Sequence, residues 1–204
     1  MKIEMVTTGS YYTNSYILSN DKNECVIIDP GLNYKKAAEY IKNKYNPIAI
    51  LITHAHMDHI DGISYFMNLP IYLYEEEKAL FNNENANLYE MIGRVDPFST
   101  DDLDIRFVKD NDIIEISDFK FEVIHTPGHT RGSCCYLIGD DLFTGDTLFK
   151  MSCGRVDFPT GDPYEMEESL KKLMNKFSDN IKCYPGHNDI TTIGYERNHN
   201  PFLK

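Results

Sequence analysis

The feature that most constrains this chain is a cluster of imidazole and carboxylate side chains directly after an apolar run. Residues 48–52 read Ile-Ala-Ile-Leu-Ile, and the next segment, Thr53 to His59, reads Thr-His-Ala-His-Met-Asp-His. A continuous apolar run of this length is typical of a buried strand, and the polar cluster is typical of the loop that leaves it. The sequence therefore predicts four ligand-type side chains at one edge of a sheet.

The spacing inside this cluster favours metal binding. Imidazole nitrogens and carboxylate oxygens suit zinc, iron and manganese. In extended backbone, residues two apart point to the same side, so His54 and His56 are placed to share one metal, while Asp58 and His59 face a second. The alternative is a solvated loop that is rich in histidine by chance. With only seven histidines in the chain, such clustering favours the metal site.

Length and charge narrow the class of protein. A chain of 204 residues suits one domain, here 1–204, with a sizeable core. It carries 32 acidic and 20 basic residues, for a formal charge of -12. Because phosphate recognition needs clustered Lys and Arg, we expect no nucleic-acid partner.

The distribution of apolar residues along the chain predicts the cellular location of the protein. The N-terminal segment has no apolar core of signal-peptide length, and nowhere do about 18 apolar residues run together, so we expect a cytoplasmic protein with no membrane contact.

The five cysteines include no C-x-x-C pair. Free Cys in apolar, strand-like surroundings is usually buried, which we expect of Cys25, Cys134, Cys135 and Cys183. Cys153, in a Gly-containing loop, has no role assigned by the sequence.

The first half reads as alternating strands and helices, the pattern of layered α/β proteins. Asn33 is predicted to cap a helix over 34–45, with an inner face of Ala37, Ala38, Tyr40 and Ile41. A short helix is predicted over 60–68. Residues 82–102, rich in Asn, Asp and Ser, are predicted to form a surface excursion with some helix at 84–92; composition does not decide whether it covers a site.

From 104 onward, short strands with brief turns predict an antiparallel sheet. A helix over 164–177, a strand over 181–184 and a last helix near 191–197 follow. Ligand-type residues again come after strands: His129 within 126–130, Asp146 within 144–147 and His187 within 184–188. A glycine beside each lets the backbone turn sharply and approach a ligand closely.

Together these motifs resemble the metallo-β-lactamase-fold hydrolases. Thr53 to His59 matches the family's H-x-H-x-D-H motif, and His129, Asp146 and His187 follow in the family's order. The resemblance covers nearly the whole chain. The turn at 126–130 and the segments 144–146, 154–157 and 194–202 are similar to the glyoxalase II-like branch.

The resemblance implies a four-layer αββα sandwich of α/β (α+β) class with two divalent metal ions. By position, it assigns the first metal to His54, His56 and His129, the second to Asp58, His59 and His187, and a bridging role to Asp146. Zinc is the default metal, and iron or manganese suits the same ligands. The implied reaction is attack of a metal-bound hydroxide on a carbonyl carbon, with Asp58 orienting the hydroxide. A small thioester such as S-lactoylglutathione is the implied substrate.

Three questions stay open at this level. Full-length glyoxalase II enzymes carry an additional helical region that helps hold glutathione, whereas only 188–204 follow His187 here. Whether the substrate contains glutathione therefore stays open, and the candidates are S-lactoylglutathione and a related small thioester or ester. Arg155 either meets an anionic group of the substrate or pairs with Asp157. The oligomeric state is not determined.

Two rival functions are compatible with the same residues. The Cys153-Gly154-Arg155-Val156-Asp157-Phe158 segment resembles a loop of persulfide dioxygenases, which hold one iron through two His and one Asp, here His54, His129 and Asp146. A non-enzymatic metal-binding module is the second rival. Structural metal sites are normally closed, whereas seven ligands over two metals leave positions for water.

Overall fold

The computed structural model describes residues 1–83, 85–95 and 97–203, and the chain divides into two compact units. The first unit comprises Met1–Leu73 and Lys78–Phe107, and the second comprises Tyr74–Glu77 and Val108–Lys204. Among the described residues, no helix is long and apolar enough to cross a membrane.

The first six-stranded sheet has the strand order β1-β2-β3-β4-β5-β6. Its strands are β1 (Lys2–Thr8), β2 (Thr13–Ser19), β3 (Glu24–Ile28), β4 (Asn46–Ile52), β5 (Ile71–Tyr74) and β6 (Ile105–Val108). The first three strands pair antiparallel, and β3–β4 and β4–β5 pair parallel. A parallel pair needs a crossover connection, which helix α1 (Lys35–Lys44) provides between β3 and β4.

Helix α1 differs in two details from its prediction. Its N-cap is Tyr34, and Asn33 instead adopts a left-handed backbone with φ 57°. Ala37, Ala38 and Ile41 are buried, as predicted, but Tyr40 is 42% exposed. The Tyr40 hydroxyl donates to Glu4 on the neighbouring strand β1, so its ring lies on the outer edge of the helix.

The predicted surface excursion at 82–102 is partly wrong. Asn87, Leu88 and Tyr89 are buried, and the Asn87 carbonyl accepts a hydrogen bond of 2.8 Å from the Met57 amide. The segment follows α3 (Lys78–Phe81), and of the helix predicted at 84–92 only Glu90–Ile92 is helical, as a single 3-10 turn. Glu84 lies outside the described residues. The segment thus packs on the start of α2 (Met57–Ile60).

The second six-stranded sheet has the strand order β14-β13-β10-β9-β8-β7. Its strands are β7 (Ile113–Ile116), β8 (Phe119–His125), β9 (Cys134–Ile138), β10 (Asp141–Gly145), β13 (Lys182–Pro185) and β14 (Thr191–Thr192). Pairing is antiparallel from β7 to β10, as predicted. The prediction is wrong for β6, which joins the first sheet. No partner was predicted for β13, which pairs parallel to β10. A short hairpin of β11 (Leu148–Phe149) and β12 (Ser152–Cys153) was not predicted.

Helix α4 (Pro163–Lys176) makes the crossover between β10 and β13. Its start is set by Asp162, whose side chain accepts from the amides of Tyr164 and Glu165, and by proline at the first helical position. Its buried Met166, Leu170 and Leu173 pack with sheet residues that include Cys135 and Cys183. All five cysteines are free thiols, and the four predicted to be buried are buried. Helix α5 (Ile193–His199) follows β14.

Candidate metal centre

Strands β3 and β4 place the histidine loop of the first unit. Asp29 directly follows β3, and its amide donates to the Leu51 carbonyl at the end of β4. The Asp29 carboxylate accepts from the Thr53 amide at 2.8 Å and from the Thr53 hydroxyl at 2.6 Å. It also lies 3.0 Å from Nδ1 of His59. One buried carboxylate therefore fixes both ends of the loop.

The four predicted ligands in this loop come together. The nearest ligand nitrogens of His54 and His56, and of His54 and His59, lie within 4.8 Å of each other. Oδ2 of Asp58 lies 3.7 Å from Nε2 of His59 and accepts a hydrogen bond of 2.8 Å from the Thr13 hydroxyl. All four side chains are buried. The short distances between donor atoms suit metal coordination.

The hydrogen bonds of the imidazole rings indicate which ring nitrogen could bind a metal. Because the Asp29 carboxylate only accepts, the His59 Nδ1 atom must carry a proton, and in the neutral ring Nε2 then presents a lone pair. The His54 Nδ1 atom lies 3.2 Å from the Thr53 oxygen. Since the Thr53 hydrogen is donated to Asp29, this oxygen accepts from His54. Metal-ligating histidines usually make such a bond through the second ring nitrogen.

The second unit carries the other three predicted ligands. His129 follows β8, Asp146 follows β10 and His187 follows β13. Oδ2 of Asp146 lies 3.4 Å from Nε2 of His129 and 3.4 Å from Nε2 of His187. The Gly186 amide donates to the Gly145 carbonyl at 2.8 Å, which ties the two loops together. A single carboxylate oxygen is thus equidistant from the two imidazoles.

His129 is oriented in the same way as His59. Its Nδ1 atom lies 2.7 Å from the carbonyl oxygen of Arg155, which only accepts, so Nε2 again presents a lone pair. The approach requires a glycine at 154. A Cβ there would lie 1.8 Å from the Asp146 carbonyl oxygen and 3.1 Å from Nδ1 of His129.

The Arg155 side chain takes the second of its two predicted roles. Its Nε and Nη2 atoms donate to the two Asp157 carboxylate oxygens at 2.6 and 2.7 Å. The guanidinium also stacks on the Phe158 ring, 3.9 Å from its centroid. The hydrogen bond from Arg155 lowers the pKa of Asp157 to about 2. In this arrangement the carbonyl of Arg155, and not its guanidinium, contacts a predicted ligand.

Cys153 lies beside this segment and is half-buried. Burial raises the pKa of its thiol above the usual value. Since the thiolate is the nucleophilic form, burial disfavours a reactive role for Cys153. His125, four residues before His129, stacks on Tyr74, and its Nε2 atom lies 2.9 Å from the Arg131 carbonyl oxygen. These contacts are typical of a packed histidine and not of a metal ligand.

Sequence reasoning missed two residues that contact the predicted ligands. Asp29 ends a strand next to β4 in the sheet, the same signal that identified His54, Asp146 and His187. Thr13 begins β2, and nothing in its local sequence links it to Asp58, 45 positions away. The imidazole nitrogens and carboxylate oxygens of the predicted ligands in both units fit a divalent metal such as zinc, iron or manganese.

Comparison with known proteins agrees with this donor chemistry. The family model of the metallo-β-lactamase superfamily matches residues 8–187. The chain belongs to the metallo-β-lactamase superfamily. This membership indicates that the protein is a metallo-hydrolase. It also confirms the resemblance inferred from the sequence motifs.

Individual relatives span the full chain. A protein of Aquifex aeolicus without an assigned function is 35% identical over 99% of this chain and 97% of its own length. A Haemophilus influenzae protein named hydroxyacylglutathione hydrolase GloC is 31% identical over 100% and 98%.

Solved structures confirm the mixed α/β fold class. The BLEG-1 B3 metallo-β-lactamase has a TM-score of 0.92 at 32% identity and covers both chains completely. TTHA1623, crystallised in a di-iron-bound form, has a TM-score of 0.84 at 31% identity and covers 98% of this chain and 100% of its own. ETHE1 from Myxococcus xanthus has a TM-score of 0.78 at 25% identity over 98% of this chain and 84% of its own.

Proposed function

We propose that this chain is a binuclear metal-dependent hydrolase of small thioesters or esters. In this proposal the first ion is held by His54, His56 and His129, the second by Asp58, His59 and His187, and Asp146 bridges them. The assignment rests on the order of motifs in the superfamily. The observation that carries it is the position of Asp146 Oδ2, 3.4 Å from the Nε2 atoms of both His129 and His187, because these histidines are assigned to different ions.

The bound ions would supply Lewis acidity that lowers the pKa of a water ligand from about 15.7 to near 7. The chain's own residues prepare for this chemistry. His54, His59 and His129 each have an acceptor next to Nδ1, which favours the neutral tautomer whose Nε2 lone pair would bind an ion. The Thr13 hydroxyl holds Asp58 Oδ2 at 2.8 Å, which fixes the carboxylate that we assign to orienting the attacking water.

The name of one relative and the chemistry of the leaving group support the proposed substrate class. The Haemophilus influenzae relative is named for hydroxyacylglutathione hydrolysis, and a thiolate leaves more easily than an amine. We therefore propose a small thioester, with S-lactoylglutathione as the first substrate to test. Zinc is our default metal, and the di-iron form of TTHA1623 supports testing iron equally. A cytoplasmic location remains part of the proposal.

The test is hydrolysis of S-lactoylglutathione by the purified protein before chelation, after chelation, and after restoring zinc, iron or manganese. We expect turnover that is lost on chelation and restored at two metal ions per chain. Turnover that survives complete metal removal, or that saturates at one ion, would contradict the binuclear assignment.

A second candidate is a persulfide dioxygenase with one iron held by His54, His129 and Asp146. The similarity to ETHE1 and the Cys153-to-Phe158 segment favour it. Oxygen consumption with glutathione persulfide by the iron-loaded protein separates the two functions. Rapid oxygen uptake without thioester turnover would replace the hydrolase proposal.

A further inference from the structure

The second unit contains a groove of about 950 Å³ that the predicted ligands do not line. Its floor and walls come from helix α4, the 153–157 segment and the C-terminal residues after α5. The apolar side chains that line it are those of Val156, Met166, Leu170, Met174, Phe202 and Leu203. Its volume lies in the range of about 300 to 1,000 Å³ of small-molecule sites, which are mostly apolar with a few polar groups.

The charged side chains around the groove are neutralised by partners in the protein. Arg155 makes two hydrogen bonds to Asp157. Lys171 pairs with Glu167 at 2.6 Å and with Glu168 at 3.0 Å. Arg197 pairs with Asp179 and donates to the carbonyls of Met174 and Phe177. These pairs leave no uncompensated charge among the described residues that line the groove, so its apolar lining favours an uncharged molecule.

The groove shares a segment with the candidate metal centre. Gly154 and Arg155 line the groove, and the Arg155 carbonyl accepts from Nδ1 of His129. Gly154 packs against the Asp146 backbone so closely that a Cβ would not fit. A molecule in the groove therefore contacts the segment that orients His129.

We propose that this groove binds an uncharged apolar molecule of the alkyl or acyl class. Burial of apolar surface supplies the affinity. The neutral rim selects against charged analogues. The proposal does not depend on the metal chemistry, and failure of either leaves the other standing.

The test uses the neutral fluorophore N-phenyl-1-naphthylamine with the whole protein. We expect a saturable rise in fluorescence that 1-decanol reverses by competition. Decanoate and decyltrimethylammonium, with the same chain and a charged end, should compete at least tenfold less well. Equal competition by the three would contradict the neutral-occupant proposal.

Two variants locate the site. Met174→Glu and Leu203→Glu each place a carboxylate in the groove from a partly buried position, and each should weaken probe binding at least tenfold. Ile113→Glu, on strand β7 at a residue that is 51% exposed, adds the same charge outside the groove and should leave binding unchanged. Circular dichroism confirms that each variant is folded.

The remaining outcomes overturn the proposal. Absence of saturable binding would do so, as would equal affinity in the groove variants and in Ile113→Glu. Sedimentation equilibrium measures whether the protein forms a dimer. A dimer that dissociates in Met174→Glu and binds the probe only after dissociation would show that a second copy, and not a small molecule, occupies the groove.

Discussion

The Nδ1 atom of His59 lies 3.0 Å from Oδ2 of Asp29, and the two side chains are 0% and 3% exposed. The same carboxylate accepts from the Thr53 hydroxyl, whose oxygen lies 3.2 Å from Nδ1 of His54. Asp29 therefore orients one imidazole directly and a second through Thr53. In the proposed assignment these two histidines serve different ions, so one carboxylate supports both.

Replacing Asp29 with Asn should weaken metal binding. The amide nitrogen would face the His59 N–H or the Thr53 hydroxyl, and a donor would then oppose a donor. Loss of such a supporting partner typically costs about 10- to 100-fold in metal affinity. Competition with a chromophoric chelator measures the effect. Asp21→Asn, at an exposed position, is the matched control, and equal affinity in the two variants would refute the role of Asp29.

The Thr13 hydroxyl should matter through Asp58. Thr13→Val keeps the shape of the side chain but removes the hydroxyl that donates to Oδ2 of Asp58. We expect kcat with S-lactoylglutathione to fall about tenfold, within the range for lost supporting contacts. Thr13→Ser retains the hydroxyl and should restore most of the rate. A Val variant with unchanged kcat would remove Thr13 from the site.

Gly154→Ala should destabilise the second unit strongly. The new methyl group would lie 1.8 Å from the Asp146 carbonyl oxygen, and backbone cannot move aside as a flexible side chain can. We expect a loss of about 3 kcal/mol or more in the free energy of unfolding, measured by urea denaturation. Gly139→Ala is the control, because φ there is +59° with nothing within 4 Å, and should cost only about 1 to 2 kcal/mol.

The ion pair between Lys172 and Asp110 should give pH-dependent stability. The Lys172 ammonium contacts both Asp110 oxygens and the His125 carbonyl. Burial alone would raise the pKa of Asp110, but the His125 amide and Lys172 lower it below its usual value. The folded state therefore favours the ionised form, so the contribution is present above about pH 4, the unfolded value. It is lost as pH falls through the lower folded-state pKa.

Lys172→Met should reduce the free energy of unfolding at pH 7 by about 1 kcal/mol. The difference from the unaltered protein should shrink as the pH falls below about 4. Urea unfolding at several pH values measures both. Lys36→Met, at an exposed position of α1, serves as the control. A difference that stays constant with pH would show that Lys172 acts through packing alone.

Several predictions from the sequence depend on local pattern, and these agree with the structure. The apolar run at 48–52 forms the buried end of β4, and the helix predicted over 164–177 forms as Pro163–Lys176. The prediction for Asn33 failed because a residue that favours caps also favours left-handed backbone. The placement of β6 was wrong, and the partner of β13 was not predicted, because strand pairing is decided by residues far apart in the chain.

The sequence by itself identified the family and predicted the candidate ligands and their order, because metal chemistry restricts which side chains serve and strand ends restrict where they lie. Only the tertiary structure showed that Asp29 and Thr13 hold ligand side chains and that the Arg155 carbonyl orients His129. It also showed that the arginine's own charge is neutralised by Asp157. The hydrogen bonds of Asp29, Thr13 and the Arg155 carbonyl join residues that are far apart in the chain. Their geometry depends on tertiary packing, which no short stretch of sequence determines.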